Sequence, residues 1–79
     1  MNLECLFAYS YLWAWGLCSM QEYNVHLDRL FSETPNNKIL LELEECSNNY
    51  KETFARLKRY FEYETNTFDS YIFGKTLFN

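Results

Sequence analysis

Large apolar side chains recur at helical spacing along most of this chain. In the second quarter they fall on one face of a helix: Met20, Tyr23, Leu27, Leu30 and Phe31. Ser19 and Glu22 precede this stripe as Ser-x-x-Glu, a capping box in which each side chain accepts a hydrogen bond from the other residue's backbone N–H. The pattern predicts an amphipathic helix that stops near Ser32 or Glu33.

A third helix is predicted to start at Thr34–Pro35, with Thr34 as the N-cap and Pro35 at the first helical position. Its inner face consists of Ile39, Leu40, Leu43 and Cys46. Three carboxylates, Glu42, Glu44 and Glu45, point outward.

A fourth helix begins after Asn48 and Asn49, and Asn49-x-x-Glu52 resembles a second capping box. Its apolar stripe is Tyr50, Phe54, Leu57 and Phe61. The outer face is charged, and Glu52–Arg56 and Lys58–Glu62 are predicted i,i+4 ion pairs. A fifth, short helix is expected from about Asn66 to Lys75, with Gly74 as its terminator, and its apolar load predicts that it docks.

The segment from Leu3 to Leu17 carries two patterns at once. Its aromatic residues alternate with smaller ones, as in a strand: Phe7, Tyr9, Tyr11, Trp13 and Trp15. A helical stripe is also present: Leu3, Phe7, Ser10, Ala14 and Leu17. Because a lone strand is not viable, we expect a helix that ends near Gly16.

These elements sum to an all-α fold, a bundle of four to five short helices in one domain, 1–79. Eleven Leu against three Val and Ile together favour helix over strand. Short connections predict antiparallel packing of successive helices. The alternative is a small α+β fold in which segments 5–15 and 38–45 pair as strands.

A 79-residue chain has room for only a small core, so a further source of stability is expected. Cys5, Cys18 and Cys46 are odd in number and form no C-x-x-C pair, so we expect reduced thiols rather than disulfides. One histidine offers no metal-ligand set, and isolated glycines offer no phosphate loop, so no metal or cofactor is expected. Association with a protein partner or with itself, as a homo-oligomer, is the remaining source of stability.

Charge and hydropathy exclude further classes. The net charge of −4 argues against binding nucleic acid. No basic region precedes the apolar stretch, which argues against a secretory signal and for a cytoplasmic location. The longest uncharged run, 5–21, lies at the lower edge of membrane-span length and lacks flanking cations, so a membrane span is disfavoured.

Catalysis has only weak candidates. His26 with Glu22 as its orienting partner and Cys18 or Cys46 as nucleophile would be a possible set. Nothing in the sequence brings these groups together. We therefore expect a protein that is not an enzyme.

The aromatic content exceeds what a small core needs, with 7 Phe, 7 Tyr and 2 Trp. Aromatic side chains are common anchors of interfaces. The sequence therefore predicts a protein–protein interaction module, to which an inhibitor or immunity-type role is suited. The expected anchors are Tyr11, Trp13 and Trp15, with an acidic contribution from Glu42, Glu44 and Glu45. The alternative is peripheral membrane or lipid binding through the aromatic N-terminal segment.

Overall fold

The computed structural model describes residues 3–78, and over this range the chain forms five α-helices and one π-helical turn. They are α1 (Leu3–Ala14), α2 (Met20–Glu33), α3 (Lys38–Glu45), α4 (Tyr50–Arg59), the π-helical turn (Tyr60–Glu64) and α5 (Ser70–Leu77). The predicted all-α bundle of short helices is confirmed. Segments 5–15 and 38–45, considered as strands in the alternative, are covered almost entirely by α1 and α3.

The end of α1 lies where the glycine predicted it. Gly16 has a φ of 78°, a left-handed conformation that glycine adopts without steric cost. Its N–H donates to the Trp13 carbonyl, and the Leu17 N–H donates to the Leu12 carbonyl at 2.8 Å. This pair of bonds is a Schellman motif, which satisfies carbonyls that the helix end would otherwise leave unpaired.

The capping box of α2 is confirmed in both directions. The Glu22 N–H donates to Ser19 Oγ at 3.1 Å, and the Ser19 N–H donates to Glu22 Oε1 at 3.3 Å. At the N-terminus of α4, Asn49 Oδ1 accepts from the N–H groups of Lys51 and Glu52. The Asn49 N–H donates to the Cys46 carbonyl instead of to Glu52, so this second cap works in one direction.

The predicted start of α3 at Thr34–Pro35 is wrong. The Thr34 N–H donates to the Leu30 carbonyl at 3.0 Å, so Thr34 closes α2. The helix begins at Lys38, and Asn37 Oδ1 caps it by accepting from the Ile39 N–H at 3.1 Å. The Thr34 hydroxyl also donates to the Leu30 carbonyl, at 3.1 Å, so both the backbone and the side chain of Thr34 belong to the end of α2.

The predicted bounds of the last helix are also wrong. Asp69 Oδ1 accepts from the N–H groups of Tyr71 and Ile72, which places the start of α5 at Ser70. Gly74 lies inside the helix, and its carbonyl accepts from the Phe78 N–H. The Asp69 N–H donates to Glu4 Oε2 at 3.0 Å, so a contact with α1 helps to fix where α5 begins.

α1 is the central element of the bundle, because it packs against α2, α4 and α5, while α3 packs on α2. Its buried residues are Leu3, Leu6, Phe7, Ala8 and Ser10. Tyr23 and Leu27 of α2, Leu40 and Leu43 of α3, and Leu57 of α4 complete the core with no exposed surface. The predicted docking of the C-terminal segment is confirmed, because α5 packs on α1.

Candidate functional site

The helical conformation of α1 divides its alternating aromatic residues between two sides. Phe7 and Tyr11 lie one turn apart and their ring centroids are 5.3 Å apart, while Tyr11 and Trp15 are 5.5 Å apart. Tyr9 and Trp13 face α2 instead, where Tyr9 stacks on His26 at 4.1 Å. Residues four apart share a helix face, so a pattern with a period of two becomes two separate aromatic rows.

α4 and the π-helical turn supply the opposite wall for the row Phe7–Tyr11–Trp15. Phe54 packs edge-on against Tyr11 at 4.7 Å, and Phe61 stacks on Phe7 at 5.2 Å with 16° between the ring planes. The pairing of residue 7 with 61 and of residue 11 with 54 shows that α1 and α4 run antiparallel. We call the surface along these two contacting rows of rings the aromatic groove.

The aromatic groove consists of two adjoining clefts. The first, of about 260 Å³, is lined by Tyr11, Ala14, Trp15, Tyr50, Lys51 and Phe54. The second, of about 360 Å³, is lined by Phe7, Tyr11, Lys58, Phe61, Glu62 and Phe68. Tyr11 lines both clefts, so they adjoin each other on the surface.

Parts of the groove remain open to solvent. Trp15 is 57% exposed and Phe68 is 44% exposed, although each lies beside rings that are packed. Phe61 meets Phe68 edge-on at 5.1 Å. The helical core therefore leaves aromatic surface uncovered at both ends of the groove.

Two of the three predicted aromatic anchors, Tyr11 and Trp15, line the groove, and Trp13 does not. Trp13 stacks on Tyr23 at 5.3 Å with 25° between the planes and meets Tyr50 edge-on at 5.9 Å. The Tyr23 ring is fully buried, and burial raises the pKa of its hydroxyl. Trp13 thus packs between α2 and the start of α4.

The three predicted carboxylates lie on α3 and do not meet the aromatic groove. Glu42 pairs with Arg56, which also bonds Glu64 through two nitrogens at 2.7 and 3.1 Å. The Arg56 guanidinium lowers the pKa of Glu64. Because Arg56 takes these two partners, the predicted Glu52–Arg56 pair is not made, whereas Lys58–Glu62 is present at 3.9 Å.

Glu42, on α3, contacts the side of α4 that does not line the aromatic groove. The cleft beside it is lined by Glu42, Cys46, Glu52, Ala55, Arg56 and Arg59 and shares no residue with the aromatic groove. Burial and a hydrogen bond with Asp28 raise the pKa of Glu44 to about 7. Glu45 is exposed at the end of α3.

The groups considered for catalysis are not joined to one another by hydrogen bonds within residues 3–78. Cys18 is buried, and burial raises the pKa of its thiol, the reverse of what activates a nucleophile. Glu22 is engaged in the helix cap, and Cys46 lies near Thr53 on α4, where its sulfur is 3.7 Å from the hydroxyl. Burial lowers the pKa of His26, whose Nδ1 is 3.0 Å from the Arg29 guanidinium.

Cys5, Cys18 and Cys46 are free thiols. In the part of the chain from Leu3 to Phe78, no three His, Cys, Asp or Glu side chains are close enough together to hold a metal ion. Among the helices of that same part, none combines the length and apolar character that a bilayer crossing requires.

Several groove residues were not among the predicted anchors. Tyr50, Phe54 and Phe61 belong to the apolar stripe predicted for the fourth helix, and Phe68 to the segment predicted to dock. No sequence signal distinguished this stripe from an ordinary buried one, because lysines such as Lys51 and Lys58 also flank the buried face of most amphipathic helices. Comparisons with protein-family models, with curated proteins and with solved structures found no match.

Proposed function

We infer that this chain is a non-enzymatic protein–protein interaction module that holds another protein in the aromatic groove. The observation that carries this proposal is the exposure of Trp15, at 57%, beside the packed rings of Tyr11 and Phe54. Tryptophan and tyrosine side chains in partly buried clefts are frequent anchors of interfaces. The surrounding core holds these rings in place before a partner arrives, which lowers the entropy cost of binding.

An inhibitor or immunity-type role is one form of this function, in which occupation of the groove blocks the partner's own working surface. Among the carboxylates on α3, Glu42 pairs with Arg56 and Glu44 bonds Asp28, so Glu45 is the one offered to a basic region of the same partner. The odd number of cysteines and the lack of a C-x-x-C pair support a cytoplasmic location, where cysteines stay reduced.

Site-specific photo-crosslinking tests the proposal in the cells that make this protein. Trp15→p-benzoylphenylalanine places the photoreactive ring in the groove, and Tyr63→p-benzoylphenylalanine is the matched control, because Tyr63 is 80% exposed on the π-helical turn. We expect a defined protein joined to the first variant and absent from the second. Trp15→Ala should then weaken binding of that purified protein about tenfold or more, as at an interface hot spot.

Identical crosslinks from both positions would overturn the proposal, as would binding that Trp15→Ala leaves unchanged. A crosslink between two copies of this chain would identify the partner as the chain itself. Light scattering across a concentration series would then measure the size of the homo-oligomer.

Binding to a membrane surface is the second candidate, favoured by the joint exposure of Trp15 and Leu17, at 57% and 72%. Tryptophan suits the boundary between headgroups and acyl chains. Co-sedimentation with neutral and anionic liposomes tests it, and pelleting no greater than the background would remove this candidate.

A further inference from the structure

The aromatic groove carries a local charge opposite to that of the chain. The net charge is −4, yet the charged side chain lining the first cleft is Lys51. Lys51 is exposed and makes no ion pair within residues 3–78. The α1 wall adds no charge, since no charged residue occurs between Glu4 and Glu22.

The second cleft is also lined by a cation from α4. Lys58 lines it and is 3.9 Å from Glu62, with side-chain exposures of 56% and 48%. An ion pair this long and this exposed contributes little, so the ammonium remains available to another carboxylate. Lys51 and Lys58 are seven residues apart on one face of α4, a rise of about 10.5 Å.

The spacing of the two clefts includes the repeat of a helix. Their linings centre near residues 52 and 60 on α4 and its π-helical extension, about 12 Å apart, and near residues 13 and 9 on α1, about 6 Å apart. A helix lying along the groove presents side chains at i and i+7 about 10.5 Å apart on one face. One apolar side chain can therefore enter each cleft.

We propose that the aromatic groove binds an acidic amphipathic helix of the partner protein. Apolar side chains at i and i+7 fill the two clefts, and carboxylates along the adjacent edge of that helix face Lys51 and Lys58. This helix-in-groove mode rests on the proposed function and specifies the chemistry of its ligand.

Two synthetic probes test the choice of ligand. Both are alanine-based helices of about 15 residues with Leu at i and i+7, and they differ only in carrying Glu or Lys at the flanking positions. The readout is a ¹H–¹⁵N NMR titration that includes the indole N–H signals of Trp13 and Trp15. We expect the Glu helix to shift the Trp15 signal and to bind about tenfold tighter than the Lys helix, with the difference shrinking at high salt.

Charge reversal supplies the matched comparison. Lys51→Glu with Lys58→Glu should reverse the preference toward the Lys helix. Lys38→Glu with Lys75→Glu makes the same change in net charge at exposed positions outside the groove, and should leave the preference for the Glu helix. Persistence of that preference in the first double variant overturns the proposal.

Other outcomes are equally decisive. Equal affinity for both helices, with shifts in the groove, overturns the acidic preference while the proposed function stands on its crosslinking test. Shifts of groove signals on concentrating the protein alone would show that a second copy occupies the groove, and would overturn the proposal. Absence of any binding by the Glu helix overturns it as well.

Discussion

Phe7 of α1 stacks on Phe61 of the π-helical turn, with ring centroids 5.2 Å apart and 16° between the planes. Phe7 also contacts Phe54 and Phe73, at 5.7 and 5.5 Å. One ring on α1 thus joins α4, the π-helical turn and α5. The same ring lines the second cleft of the aromatic groove, so the stability of the bundle and the shape of this cleft depend on a shared residue.

Phe7→Ala should destabilise the protein by about 3–5 kcal/mol, because it removes a buried ring that several elements contact. A domain of this size has only a few kcal/mol to lose. In urea unfolding followed by circular dichroism, the Phe7→Ala variant should therefore be largely unfolded at 25 °C before urea is added. Phe7→Leu is the control and should cost less; an unfolding free energy for Phe7→Ala within about 1 kcal/mol of the parent would contradict the central role of this ring.

Trp13 and Trp15 should differ sharply when replaced by alanine. Trp13→Ala loses the stack on Tyr23 and should cost about 2 kcal/mol, since its ring is half-buried. Trp15→Ala, at a site 57% exposed, should cost under about 1 kcal/mol. Chemical denaturation measures both, and an equal cost would mean that Trp15 belongs to the core rather than to an open groove.

The corrected start of α3 predicts a contrast between adjacent asparagines. Asn37→Ala removes the side-chain oxygen that accepts from the Ile39 N–H, and should cost about 1 kcal/mol. Asn36→Ala, at the exposed neighbouring position, should cost under about 0.5 kcal/mol. Equal losses in the urea midpoint would argue against Asn37 as the cap.

The pairing of Glu44 with Asp28 predicts a stability that falls as pH rises. The pKa of Glu44 is raised to about 7 in the folded protein, from about 4.5, so the folded state holds the proton more tightly than the unfolded state. Stability conferred by this group is therefore present below about pH 4.5 and is lost as pH rises to about 7. Glu44→Gln should be more stable than the parent above pH 7.

Other groups titrate in the same range, so the useful quantity is the difference between Glu44→Gln and the parent at each pH. Burial lowers the pKa of His26, so its contribution to stability rises with pH below the ordinary pKa of histidine. This contribution is the same in both proteins and cancels in the difference. Glu45→Gln, at an exposed position, serves as the control. A difference that does not change between pH 4.5 and 7 would contradict the raised pKa of Glu44.

Cys18 should be the slowest of the three thiols to react. Its side chain is buried, at 7% exposure, and burial raises its pKa, so little thiolate forms near neutral pH. Iodoacetamide labelling at neutral pH with peptide mapping should modify Cys5 and Cys46 first. Labelling of Cys18 ahead of both would revive the idea of an activated nucleophile.

Local structure could be predicted wherever a side chain bonds backbone groups within a few residues of itself. Ser19 with Glu22, Asn49 and Gly16 each satisfy helix-end groups within a few residues, so the ends they set could be predicted. The same patterns predicted an all-α fold, because a lone strand could not have been stable. They failed where the neighbouring helix bonds the same residue, as at Thr34, whose N–H and hydroxyl both donate to the end of α2.

The distribution of the aromatic residues between core and groove depends on tertiary packing. The sequence indicated a surplus of them, and two of the predicted anchors, Tyr11 and Trp15, lie side by side in the structure. Which side of α1 meets α4 depends on packing across distant segments, so the separation of Trp13 from the groove could not be derived locally. The partners of Arg56 were likewise hidden, because Glu42 and Glu64 reach it through the fold rather than through i,i+4 spacing.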